Sequence, residues 1–200
     1  MVVNVFLKAL ILLTVFIHNP RMLVVGDSLS KYKYGYQDQI QHRLEIDVNN
    51  IAQGGKTTTW MLSTLKSKLA IDSSFQSVII YGGMNDAFNN SIPLSKTIKN
   101  IQQMVDLCNS KGILPIVIVG YDARTSMKHS EYYNDSIYIP CSKKYIQIQS
   151  EIPKIKNCLI VPVCPFVESD LGDGIHPNVD GHKKLSNWIC QHLSGFKVKL

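Results

Sequence analysis

Two hundred residues, 45% of them hydrophobic and 18% charged, suffice for one folded domain with a real core and exclude an extended disordered chain. The net charge of +6 favours anionic partners, but the lysines fall in short groups such as Lys31/Lys33 and Lys143/Lys144, with no basic run interleaved with aromatics, so nucleic acid is not the expected partner. None of the five cysteines forms a C-x-x-C pair and no Cys/His spacing suits zinc, which argues against a metal site; the odd count argues against a complete disulfide framework.

The chain begins with Val2–Ile17, apolar apart from Asn4, Lys8 and Thr14. Its core, Ala9–Ile17, has the length of a signal-peptide apolar region and is too short to span a bilayer. No small-x-small cleavage site follows. Three readings stay open: an uncleaved signal anchor, a secretory signal, or an extension of a cytosolic protein that starts at Met22. The apolar character leans toward an anchored or secreted route. The expected division is therefore 1–20, an apolar N-terminal segment, and 21–200, one domain. Asn89-Asn90-Ser91 and Asn134-Asp135-Ser136 match the glycosylation sequon, a triplet frequent by chance.

From Met22 onward, apolar runs of strand length alternate with stretches of helical period. The strands are predicted at Met22–Val25, Ile46–Ile51, Val78–Tyr81, Ile113–Val119 and Leu159–Val163, mostly continuous runs, as expected where both faces of a parallel sheet are buried. Helices are predicted at Tyr36–Leu44, Thr59–Leu69, Ser95–Ser110, Lys143–Ile152 and Val179–Leu193. Ile98, Ile101, Val105 and Cys108 mark one face of the third, and Asn178 stands as N-cap of the last. Cys108 and Cys190 lie on apolar helical stripes as small buried hydrophobes; a Cys141–Cys164 or Cys158–Cys164 bridge stays open. Gly120–Ile137 reads as a long polar connection. The alternation predicts an α/β fold, a three-layer α/β/α sandwich on a five-stranded, mainly parallel sheet.

Ligands of such sheets bind beyond the carboxyl ends of the strands, and four segments there carry chemistry. Gly26-Asp27-Ser28 turns sharply out of the first strand and puts a serine at its tip. Asp173-Gly174-Ile175-His176 sets a carboxylate three residues before an imidazole; an Asp on Nδ1 leaves Nε2 to accept a proton. Asn85, in Gly82-Gly83-Met84-Asn85-Asp86, can aim its side-chain NH₂ at developing negative charge. Gly54 and Gly55, after the second strand, let backbone N–H groups approach a ligand closely. Alone, Asp-x-x-His reads equally well as a capping turn and the other three read better as ordinary turns or a glycine loop; all four at predicted strand tips or before the last helix form a nucleophile, a base with its orienter, and two further donors.

The chain resembles the SGNH hydrolase superfamily, the GDSL-like esterases, lipases and acylhydrolases. Gly26-Asp27-Ser28-Leu29 resembles the family's first block, Asn50–Thr57 its second, Gly83-Met84-Asn85-Asp86 its third, and Asp173-Gly174-Ile175-His176-Pro177-Asn178 its fifth. The resemblance runs from about Met22 to Leu193. It implies a catalytic triad of Ser28, Asp173 and His176 and an oxyanion hole from the Ser28 N–H, a glycine N–H (Gly55 fits best, Gly54 is the alternative) and the Asn85 side chain. Asp27 and Asp86 then brace the turns. The G-x-S-x-G elbow of α/β-hydrolases is absent, because Ser30 stands two after Ser28. Substrate loops found in many microbial members have no match here.

The resemblance implies hydrolysis of a small acyl ester: an O-acetylated sugar, a lysophospholipid or a short-chain thioester. No metal or organic cofactor is implied. The partner is the acyl-ester substrate, a lipid or acylated glycan, with membrane association through the N-terminal segment. Two alternatives use the same scaffold: an acyltransferase with another acceptor than water, and a non-catalytic binding module.

Overall fold

In the computed structural model, residues 19–122 and 135–194 are described; the apolar Val2–Ile17 segment, the Asn134 sequon and most of the Gly120–Ile137 connection lie outside them. Five strands form one parallel sheet in the order β2-β1-β3-β4-β5: β1 Arg21–Gly26, β2 Asp47–Asn50, β3 Ser77–Tyr81, β4 Leu114–Ile118 and β5 Leu159–Val161. Every residue of β3 is buried, and so are five of the six in β1, which is why these strands read as unbroken apolar runs. The edge strand β2 is partly exposed, and its Asp-Val-Asn-Asn sequence leaves the flanking Ile46 and Ile51 as the apolar signal.

Among the described residues seven α-helices accompany the sheet: α1 Ser28–Lys31, α2 Tyr36–Leu44, α3 Thr58–Ile71, α4 Met84–Phe88, α5 Leu94–Ser110, α6 Asp135–Glu151 and α7 Val179–Ser194. Helices α2 and α7 pack together, while α3 packs on α5 and α6 on both α4 and α5, giving the expected three layers. Among the described residues no helix is long and apolar enough to cross a membrane.

Three expectations need correction. Helix α6 starts at Asp135 rather than Lys143; Pro140, which reads as a helix stop, lies inside it, and the buried Cys141, Tyr145, Ile148 and Ile152 recur at the three-to-four spacing of one helical face. Strand β5 ends at Val161, before Pro162, rather than at Val163. All five cysteines are free, so neither bridge forms; burial pushes the Cys108, Cys141 and Cys164 thiols up to about 12.

The strand order fixes where a ligand can sit. The chain leaves β1 toward β2, then returns to the other side of β1 as β3. At this switch the connections leave β1 and β3 in opposite directions and open a crevice at their carboxyl ends. Gly26 and Tyr81 are register partners there; Ser28 follows the first by two residues and Asn85 follows the second by four.

Candidate active site

Ser28 is the first residue of α1. The Asp27 carboxylate caps that helix, accepting the Leu29 N–H at 3.0 Å, so the serine is held at a strand-to-helix turn and not on a mobile loop. Behind it, Ser30 Oγ and Tyr36 OH are hydrogen-bonded at 2.8 Å, both buried.

His176 lies across the crevice, three residues before α7. Its Nε2 is 2.9 Å from Ser28 Oγ and its Nδ1 is 2.7 Å from Asp173 Oδ2. Asp173 Oδ1 accepts the backbone N–H groups of Ile175 at 2.9 Å and His176 at 2.7 Å, so one carboxylate shapes the turn and orients the ring. Burial is the largest single influence on Asp173 and pushes its pKa up. Hydrogen bonds from the His176 N–H, the His176 ring and the Ile175 N–H, with the His176 charge, outweigh it, and the pKa lies below the ordinary 3.8. The carboxylate is therefore ionised at neutral pH. The His176 side chain is 42% exposed, so the site is open to solvent and substrate.

Several contacts hold this turn. Tyr121, just beyond β4, donates its hydroxyl to the Ile175 carbonyl and stacks on Phe166 with ring centroids 4.9 Å apart. The Gly172 N–H donates to the His176 carbonyl at 2.8 Å. Asn178 Oδ1 accepts the Gly181 N–H at 3.0 Å, the capping role expected of it. The Tyr36 N–H donates to His182 Nδ1 at 3.3 Å, and the exposed Tyr32 ring stacks on that imidazole at 5.5 Å. Residues following the serine are thus fastened to the helix that follows the histidine.

On the other side of Ser28 lie the glycines. A Cβ on Gly54 would meet Ser28 Cβ at 3.8 Å and Lys31 Cδ at 3.7 Å, whereas Gly55, at φ +72°, faces open space. Among the described residues neither glycine N–H donates to a protein acceptor. Asn85 sits in α4, a short helix invisible in the hydropathy pattern, entered through Gly83 at φ +110°, a conformation that needs glycine. Its Nδ2 donates to Asp27 Oδ2 at 3.2 Å and to the Lys56 carbonyl at 3.1 Å. Asp86, fully buried, accepts from the Thr58 N–H and from the Thr58 and Thr97 hydroxyls, tying α4 to α3 and α5. Lys144 closes the far end of α4, donating to the Asp86 and Asn89 carbonyls at 2.7 Å each.

The structure brings Ser28, Asp173 and His176 into a hydrogen-bonded chain, sets Gly54, the alternative glycine, against the serine and joins Asn85 to Asp27; Gly55, the glycine that fits the family pattern best, is the next residue of that loop and its Cβ position faces open space. Thr58, Thr97, Tyr121 and Lys144, which support them, carried no local sequence signal; their partners lie between 11 and 58 residues away.

Comparison with known proteins places the chain in a family and its fold among known folds. The model of the GDSL-like lipase/acylhydrolase family matches residues 24–184. The isoamyl acetate-hydrolyzing esterase of Saccharomyces cerevisiae is 32% identical over 109 residues, which cover 53% of this chain and 45% of that protein, so the match spans less than half its length. Among solved structures, the lipase/acylhydrolase from Enterococcus faecalis superposes with a TM-score of 0.67 at 20% identity, covering 90% of this chain and 99% of the other. A GDSL-like lipase from Bacteroides thetaiotaomicron gives 0.69 at 17% identity, covering 88% of each chain. These structures share its fold.

Proposed function

The chain belongs to the GDSL-like lipase/acylhydrolase family, and from that premise we propose that it is a serine esterase that hydrolyses small acyl esters through Ser28. The hydrogen-bonded chain from Ser28 Oγ through the His176 ring to Asp173 carries this reading. The base is already within reach of the proton it must take, and its other nitrogen faces an ionised carboxylate that favours the imidazolium.

In the proposed reaction, Ser28 Oγ attacks the ester carbonyl while its proton passes to His176 Nε2. The carbonyl oxygen becomes an oxyanion, stabilised by the Ser28 N–H, the Gly55 N–H and Asn85 Nδ2. Collapse breaks the bond to the alcohol oxygen, and His176 returns the proton to that oxygen. Water then attacks the acyl-serine by the same route, releasing the carboxylic acid and restoring Ser28. The open site, with the His176 side chain 42% exposed, suits a small substrate. The yeast relative's acetate ester supports a short acyl group on an uncharged alcohol as the first substrate to try; O-acetylated sugars, lysophospholipids and short thioesters complete the panel.

The test is an ester panel of varied acyl length and leaving group, run on the wild-type chain beside Ser28→Ala. Wild type should turn over short esters and be labelled by a fluorophosphonate. Ser28→Ala should do neither while keeping its thermal transition. Labelling or hydrolysis retained in Ser28→Ala overturns the nucleophile assignment, and a wild type inert to every ester and to the probe overturns the enzyme reading.

A further inference from the structure

An oxyanion donor needs a free proton, and Asn85 has none to spare: both protons of its Nδ2 face protein acceptors, Asp27 Oδ2 and the Lys56 carbonyl. The acceptors are unequal. A hydrogen bond to an ionised carboxylate is roughly twice as strong as one to a neutral carbonyl. Asp27 is also the better fixed of the two, fully buried and locked by the Leu29 N–H on its other oxygen. Lys56 lies on the partly exposed loop beside Gly55.

We propose that Asp27 is a positioning residue of this site: its carboxylate retains one Asn85 proton and thereby aims the other, which leaves the Lys56 carbonyl for the substrate oxyanion as the tetrahedral intermediate forms. The inference rests on the esterase reading above. No proton changes owner in this step; the Nδ2–H merely exchanges one acceptor for another.

The residue type supports the assignment. Capping α1 requires a single acceptor oxygen, which Asn or Ser supplies without charge. Asp27 instead brings a carboxylate into a site that disfavours it. Burial is the main cause that raises its pKa to about 7, helped by Asp86 and opposed by the Leu29 N–H, the His176 charge and Asn85. The groups facing it are His176 ahead of α7, Asp86 in α4, and the buried phenols Tyr36 in α2, Tyr81 in β3 and Tyr145 in α6. The one bond that a neutral cap cannot accept alongside the Leu29 bond is that donated by Asn85 Nδ2, 58 residues away, to Asp27 Oδ2.

The experiment is a double-mutant cycle on a short aryl ester at pH 8, with kcat and KM measured for wild type, Asp27→Asn, Asn85→Ala and the double variant. Asp27→Asn should lower kcat on the order of 10²-fold with KM little changed, as expected for a misaimed catalytic group. On the Asn85→Ala background the same substitution should lower kcat by less than about threefold, because the aimed group is already gone. A residue that only braces the turn would lower kcat equally in both backgrounds, and that result overturns the proposal. Should Asp27→Asn not fold, the wild-type chain still decides: the Asn85 side-chain amide resonance, followed by NMR between pH 5.5 and 9, should move with the Asp27 carboxyl carbon. An Asn85 signal indifferent to Asp27 ionisation overturns the proposal. A wild type without esterase activity would sink the enzyme reading itself, an outcome distinct from both.

Discussion

Asp27→Asn should stabilise this protein at alkaline pH and destabilise it in acid. The Asp27 side chain is fully buried, and its pKa stands at about 7 against an ordinary 3.8. That gap corresponds to about 4 kcal/mol in favour of the neutral acid, at roughly 1.4 kcal/mol per pH unit. The folded-state value is raised, so the stability Asp27 contributes is complete below pH 3.8 and is lost as pH rises through about 7. Above that the carboxylate is charged in both states and the fold bears the whole penalty. Asparagine carries no charge and removes it. Its single carbonyl oxygen, however, can accept from Leu29 or from Asn85 but not from both, and the unmatched donor costs about 1–3 kcal/mol. The net expectation is a gain of about 1–3 kcal/mol at pH 8.5 and a loss of about 1–2 kcal/mol at pH 4.5, where Asp27 itself is already neutral. For a chain of this length the alkaline gain is a rise in Tm of about 2–10 °C. Urea unfolding of both proteins at pH 4.5, 6, 7 and 8.5 measures it. A stability difference that does not change with pH would refute the reasoning, because it would mean that the buried carboxylate carries no charge penalty. A variant both more stable and slower would illustrate a common compromise of catalytic sites.

Other substitutions probe the rest of the site. Asn85→Ala should lower kcat by about 10²–10³-fold, the loss typical of one oxyanion donor, with a smaller change in KM; a loss confined to KM in steady-state assays would remove Asn85 from that role. Gly181→Ala would bring a Cβ within 2.1 Å of the Asp170 carbonyl oxygen, prying α7 from the turn that leads to Asp173. It should destabilise the fold by about 1–3 kcal/mol, as overpacking does, and reduce kcat; an unchanged urea midpoint would contradict the close packing. His182, buried beneath Tyr32, has a pKa lowered to about 4, chiefly by burial and then by the His176 charge. A depressed base stabilises the fold fully above pH 6.5 and ceases to do so as pH falls through about 4, so stability should decline across that window. His182→Asn, whose Oδ1 can replace Nδ1 as acceptor for the Tyr36 N–H, should flatten the decline; an unaltered acid limb in thermal melts would exclude His182 as its source.

Much of this protein is readable from local pattern. The apolar runs of β1 and β3 and the periodicity of α2, α5 and α7 follow from which faces are buried, and those features survive in one dimension. The same holds for Gly-Asp-Ser, Gly-x-Asn-Asp and Asp-x-x-His, because each places its chemistry within a single turn; Asp173 orients His176 from three residues away. Helix α4 escapes such reading because five residues are too few to establish a period, and α6 is obscured by Pro140. What one dimension cannot express is the distance between turns. The Ser28–His176 bond joins residues 148 apart, and it exists because α7 packs on α2 and so carries the turn ahead of it to the carboxyl end of β1. The Asp27–Asn85 bond arises where the strand order 2-1-3-4-5 brings the carboxyl ends of β1 and β3 together, and with it comes the burial that makes Asp27 unusual. A carboxylate's acidity depends on the solvent and charges around it, and here those come from α1, from α4 and from the turn before α7, which only the folded chain assembles.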